Sequence, residues 1–298
     1  MNDFINFGNA DLLEQYYEKR LIEPSVSRVV HAMNLIAKGT QFCDMVTYKN
    51  GLEEMKSALA DIKEKEHDDF LTIFIEYIEK SFKSSFDEIL KSPIPIIERC
   101  IEKKLYQQAL TFIESTMPEY IVDLKILYAT KDTERNISKC KNRYESDKQF
   151  IVNQYINQHL MYFSKEPKRD LKKAINEFSY YYLNRFEKSD DNSNISCMKS
   201  LDFKKNNQIK KIVREKKTVK EFVIKIRSDY LNKYSKMDQQ VGMFLRMHKA
   251  LKSVRNMFNH TIADERPDMD AIINTMKLYV AYAKRIENLV RKSDGTIY

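Results

Sequence analysis

Apolar residues recur every three or four positions over most of the chain. In EPSVSRVVHAMNLIAKG, Val26, Val29, Val30, Met33 and Ile36 fall at helical spacing, with Gly39 reading as a stop. GLEEMKSALADIKEKE repeats the pattern through Leu52, Met55, Leu59 and Ile62, and DDFLTIFIEYIEKSF carries Leu71, Phe74, Ile75, Ile78 and Phe82 on one side. Such stripes predict antiparallel helices that share a core. Ahead of them, Asn9 in FGNADLLEQYYEKRL reads as a helix cap. The step Ser92-Pro93-Ile94-Pro95 disfavours helix, because each proline biases its predecessor away from the α region, and predicts a boundary between an N-terminal helical region, 1–92, and a domain over 93–298.

Beyond that step, IIERCIEKKLYQQALTFIESTMPEYIV reads as helix with Pro118 marking an end, and DKQFIVNQYINQHLMYF and DLKKAINEFSYYYLNRF add two amphipathic segments. From Lys188 to Ser200 the text is Asp, Asn and Ser with few apolar residues, too little to offset the entropy of ordering it. A mobile basic insertion is therefore expected over about 188–218. From Val219 the stretches VKEFVIKIRSDYLNKY and QQVGMFLRMHKALKSVRNMFNH read as two long helices, and a final helix places Ile272, Met276, Val280, Ala283 and Ile286 in register. With only 5 Gly and 6 Pro in 298 residues, helical propensity dominates and the fold class is all-α. A chain of this length can bury one large core or two modest ones.

Charge and cysteine usage narrow the function. The net charge of +8 favours polyanionic partners, although basic chains also merely stay soluble this way. Between Phe203 and Lys225 nine Lys or Arg, among them Lys204, Lys205, Lys210, Lys211, Arg214, Lys216 and Lys217, stand against Glu215 and Glu221. That segment reads either as a track for phosphates or as a solvated charge run. The four cysteines lie far apart with no CxxC or Cys/His grouping, which points to neither a zinc site nor a disulfide framework and fits a reducing cytoplasm. No leader and no run of 18 apolar residues is seen, so a soluble chain without membrane attachment is expected.

Candidate chemistry sits in SVRNMFNHTIADERP, Ser253 to Pro267. On a helix Asn256 and His260 share a face and Arg255 has the reach to swing toward it, while Leu251, Val254 and Met257 can hold the helix against a core. The spacing of Arg and His alone is weak; the Asn directly after the Arg strengthens it. RNMFNH resembles the R-x4-6-H motif of HEPN ribonucleases, in which a polar residue, often Asn, follows the Arg. CIEKKLYQQALTFIESTMPEYIV (Cys100 to Val122) is similar to a stretch in the HEPN part of CARF-HEPN accessory ribonucleases of type III CRISPR systems, and DFINFGNADLLEQYYEKR (Asp3 to Arg20) resembles their segment just after the CARF domain. Those relatives carry a Rossmann-like CARF sensor of cyclic oligoadenylate, whereas this sequence has no alternating strand and helix units and no Gly-rich turn. Neither that ligand nor any other cofactor is expected; the sequence reads equally as a stand-alone effector, as one subunit of a split system with a separate sensor or regulatory protein, or as a piece of a longer protein.

The resemblance implies a HEPN-type helical bundle with additional N-terminal helices and a basic insertion. It also implies metal-independent cleavage of single-stranded RNA, in CRISPR-linked or other antiviral defence, by attack of the RNA's own 2'-hydroxyl. No carboxylate and His cluster at metal-ligand spacing is seen. In this scheme His260 transfers a proton at the 2'-hydroxyl or the leaving 5'-oxygen, Arg255 stabilises the scissile phosphate, and Asn256 orients the phosphate or His260. The motif supplies one Arg and one His per chain, and the resemblance implies a homodimer with a composite site. Two alternatives stand beside it, a non-catalytic helical RNA-binding or assembly subunit and a HEPN toxin held by a partner. Tyr180, Tyr181 and Tyr182 read as base-stacking or as core and edge packing, and His31, His67, His159 and His248 as ordinary surface or satisfied helical residues.

Overall fold

Helices α1 (Pro24–Gln41) and α2 (Met45–Lys63) form an antiparallel hairpin in the computed structural model. The model describes residues 24–63, 76, 78, 86–138, 141, 146–159, 167–186, 208–215, 218–226, 237–259 and 267–293. The apolar stripes read from the sequence are the contact surfaces of this hairpin: Val29, Met33 and Ile36 from α1 and Leu52, Met55, Leu59 and Ile62 from α2 are all buried. Asp44 caps α2, its Oδ1 accepting from the backbone N–H of Val46 at 3.0 Å and of Thr47 at 3.3 Å. The Thr47 hydroxyl, followed by these backbone donors, holds the Asp44 carboxyl below its ordinary range. Gly39 does not stop α1, which runs on to Gln41. It is buried, and its missing side chain lets the Tyr48 backbone come close.

Two short helices follow, α3 (Phe86–Lys91) and α4 (Ile94–Glu102). The Ser92-Pro93-Ile94-Pro95 step joins them within one unit. Pro93 stands at the N-cap of α4 and Pro95 in its first turn, where a missing N–H costs no helical bond, and Ser92 Oγ accepts from the Ile94 N–H at 3.3 Å. The chain divides into two compact units further on, at Phe112 and Ile113, inside helix α5 (Tyr106–Asp123). The break expected at 92/93 thus falls between two helices of the first unit. Pro118 lies inside α5 rather than at its end. It deprives the Glu114 carbonyl of its usual helical donor.

In the second unit α5 is followed by the strand β1 (Leu127–Ala129), α6 (Lys131–Ile137), α7 (Asp147–His159) and α8 (Pro167–Tyr181), which a π-helical turn extends over Tyr182–Phe186. Strands β2 (Gln208–Glu215) and β3 (Thr218–Ile226) come next, then α9 (Met237–Asn259) and α10 (Met269–Ser293). Helix α10 buries the expected stripe of Ile272, Met276, Val280, Ala283 and Ile286. It packs on α8, where Asn274 donates to Ser179 Oγ at 3.1 Å and the Thr275 hydroxyl reaches the Ile175 carbonyl at 3.3 Å. Tyr120 of α5 bonds Glu287 of α10, which also holds Arg291 at 2.6 Å.

The described residues are predominantly helical, as the spacing predicts, and helices supply the core of each unit. Where the sequence reading expected a mobile insertion running into a helix from Val219, the chain forms an antiparallel hairpin, and β1 completes a small sheet in the order β1-β3-β2. Lys210 pairs with Val223, Lys211 with Phe222 and Arg214 with Val219. The physical reason is a two-residue alternation beneath the charge: Phe222, Ile224 and Ile226 alternate with Glu221, Val223 and Lys225, and β-branched residues are frequent on both strands. Ile224, buried like its neighbours Leu127 and Ala129 in β1, anchors the sheet. Among the described residues no helix is long and apolar enough to cross a membrane.

Candidate functional site

Arg255 and Asn256 lie one turn from the end of α9, which closes at Asn259. His260, the next residue, lies outside the described residues, as do Lys204, Lys205, Lys216 and Lys217, the expected loop from Lys188 to Ser200, the stretch Asp3 to Arg20 and Leu71, Phe74, Ile75 and Phe82. Leu251 and Val254 are buried and Met257 half-buried, so the apolar side of α9 fixes its last turns. Along the same helix His248, Lys252, Arg255 and Asn256 follow at intervals of four, three and one, which gathers them into one polar stripe.

Helices α5 and α7 supply the groups that face this stripe. Glu114 of α5 places Oε2 3.1 Å from Arg255 Nη1 and Oε1 3.8 Å from Lys252 Nζ. The 3.1 Å approach is a contact of charges rather than an aligned hydrogen bond, since Oε2 is buried and accepts none. Arg255 Nη1 also donates to Asn256 Oδ1 at 3.4 Å, and Lys252 Nζ donates to Asn153 Oδ1 of α7 at 3.2 Å. Two cations surround one carboxylate, so the cluster stays cationic. Arg255 Nε is buried with no hydrogen-bond partner. Pro118 leaves the Glu114 carbonyl without its helical donor, and Gln149 of α7 donates to the Ser115 carbonyl at 3.4 Å.

Two turns back along the stripe, His248 is fully buried with Nδ1 3.0 Å from the Tyr279 hydroxyl of α10. Its Nε2 has no partner. Desolvation first, and the nearby Lys252 second, push its pKa down to about 3, so the imidazole is neutral at physiological pH. Burial drives the Tyr279 hydroxyl up. His248 is therefore a core residue satisfied on one nitrogen only. His31 is exposed and His159 closes α7, while His67 lies outside the described residues. Burial likewise pushes the Cys100 thiol up to about 12, which makes it a poor nucleophile.

The three tyrosines separate. Tyr181 is in the core, Tyr180 is 71% exposed, and Tyr182 lies under Lys277, whose Nζ is 5.8 Å from the ring centroid. Tyr180 alone offers an open ring face. Among the described residues no group of three His, Cys, Asp or Glu side chains could hold a metal ion. Of the residues singled out in the sequence, Arg255 and Asn256 meet at 3.4 Å, and Glu114, Lys252 and Asn153 stand around them. Lys252 was legible as the position one turn before Arg255, but Glu114 and Asn153 sit on other helices and no local signal marks them. Compared with known proteins, the chain matches no family model, no curated protein and no solved structure.

Proposed function

We propose that the chain is a metal-independent endoribonuclease of the HEPN kind that cuts single-stranded RNA. The observation that carries this reading is the placement of Arg255 and Asn256 side by side in the last turns of α9, cross-linked at 3.4 Å and leaning on Glu114, directly before His260 in the sequence. A guanidinium steadied by neighbouring side chains is suited to charge that develops on a phosphate. The 2'-hydroxyl of the RNA attacks the adjacent phosphorus and the 5'-oxygen leaves, which gives a 2',3'-cyclic phosphate and a 5'-hydroxyl. His260 moves a proton in this exchange, worth about 10² to 10⁴ in rate. Asn256 orients the phosphate or His260. A homodimer would bring two such turns together, the basic strand β2 with Lys210, Lys211 and Arg214 would track the RNA backbone, and a separate sensor protein would switch activity in antiviral defence.

A fluorescent single-stranded RNA incubated with the protein in EDTA tests this reading. Cleavage to cyclic-phosphate ends is expected, with a loss of about 10² to 10⁴ in His260→Ala. One observation favours a second reading, a non-catalytic RNA-binding subunit: the carboxylate of Glu114 already engages Arg255. Salt-sensitive RNA binding without His260-dependent cleavage under any condition would establish that alternative in place of the enzyme.

A further inference from the structure

We infer that Glu114 is the positioning residue for Arg255, an inference that rests on the endoribonuclease reading above. Arginine carries five N–H donors in two forks, and a closed pair with a carboxylate spends one fork on both oxygens. The Glu114 contact is not of that kind. Only Nη1 approaches Oε2, at 3.1 Å, and Oε1 leans toward Lys252 at 3.8 Å instead of closing the second bond. The Nε donor has no partner, and Oε2 accepts no hydrogen bond. Glu114 thus steadies the guanidinium from its Nη1 side without closing a two-bond fork, and because Nε is buried a phosphate would be met by the terminal nitrogens.

Two further observations fit a positioning role. The pair is partly shielded, with side chains 21% exposed for Glu114 and 30% for Arg255, so solvent and salt weaken it less than they would an open surface pair. Lys252, bonded to Asn153 at 3.2 Å, supplies the second cation that keeps the cluster attractive to an anion although one carboxylate sits within it. Glu114 touches no RNA in this scheme. It acts through Arg255, so its loss should disturb turnover more than substrate capture.

Steady-state cleavage of single-stranded RNA in EDTA by wild type, Glu114→Gln, Glu114→Asp, Arg255→Ala and the Glu114→Gln/Arg255→Ala double variant tests the assignment. Glu114→Gln is expected to lower kcat on the order of 10- to 100-fold, the range a misplaced catalytic group produces, with KM changed by less than about twofold. Glu114→Asp, which keeps the charge, should recover part of the loss. The double variant should be no slower than Arg255→Ala alone. If Glu114→Gln unfolds, as thermal melting would report, the Asp variant decides: full kcat in a folded Glu114→Asp overturns the assignment. So does a double variant slowed by the same factor as Glu114→Gln alone. A wild type that shows no His260-dependent cleavage overturns the endoribonuclease reading and the role with it, whereas a wild type that cuts beside a Glu114→Gln variant at full kcat overturns the role alone.

Discussion

Gly39→Ala is expected to melt the helical hairpin of the first unit, although alanine is the better helix former. A Cβ built on Gly39 lies 2.5 Å from the Tyr48 backbone nitrogen, 2.6 Å from its Cα and 2.7 Å from its Cβ, where ordinary contact begins at 3.4 Å. None of these atoms can swing aside, because Tyr48 is buried and its backbone belongs to α2. Helices α1 and α2 would have to part by about 1 Å, which opens the layer of Met33, Ile36, Leu52 and Met55 between them. Alanine gains about 1 kcal/mol of helix propensity over glycine, and overpacking against backbone costs more than about 3 kcal/mol, so the clash wins. Urea unfolding followed by circular dichroism measures the difference. Gly51→Ala is the graded control: its Cβ meets the Ile36 backbone nitrogen at 2.8 Å and Ile36 Cγ1 and Leu35 Cβ at 2.9 Å, each contact longer than its counterpart at Gly39, so a smaller loss is expected. A Gly39→Ala protein as stable as wild type would refute the close approach.

The same glycine shows where sequence reading reaches its limit. A glycine that ends a helix and a glycine that admits another helix's backbone look alike along a chain, because what separates them is a residue of the next element, here Tyr48. Pro118 ends no helix for a related reason: burial of Ile113, Met117 and Ile121 along α5 outweighs one missing helical bond, and Pro118 is itself buried. The stripes of α1, α2 and α10 were legible because their period of 3.6 is written locally in residues such as Val29, Met33, Leu52 and Met276. The hairpin of β2 and β3 was not, because Lys210, Lys211, Lys220 and Lys225 interrupt an alternation that reads as charge before it reads as strand. Strand β1, three residues long, carries no pattern of its own and exists because β3 offers it an edge. At the candidate site the adjacency of Arg255 and Asn256 was written in the chain, but the carboxylate that steadies the guanidinium was not, since Glu114 and Arg255 meet only after α5 and α9 have packed.

Acid is expected to unfold the second unit earlier than its carboxylates alone would dictate, and His248 is the cause. Buried against Tyr279 and below Lys252, the imidazole stays neutral in the folded chain down to about pH 3, whereas in the unfolded chain it takes up a proton near pH 6.5. Between those values the unfolded state binds more protons, so stability is complete above pH 6.5 and falls as the pH drops toward 3. The slope contributed is at most about 1.4 kcal/mol per pH unit, which accumulates to roughly 4 kcal/mol by the bottom of the window. The cost arises because a proton on the ring would be a charge in a dry core, with Phe244 stacked on Tyr279 at 4.6 Å and the amino group of Lys252 adding repulsion. Replacing His248 alone would leave the Tyr279 hydroxyl without its partner, so the informative protein is the double variant His248→Leu/Tyr279→Phe, which removes both halves of the hydrogen bond and is expected to lie within about 1 kcal/mol of wild type at pH 7.5. Urea midpoints measured from pH 7.5 to pH 4 for the two proteins isolate the histidine, because burial lifts the Tyr279 hydroxyl far out of this window and every other group that titrates within it is common to both. The curves are expected to diverge below pH 6.5 with the double variant the more stable in acid; parallel curves would mean that the imidazole finds water or a counter-ion when protonated and is not sealed in the core.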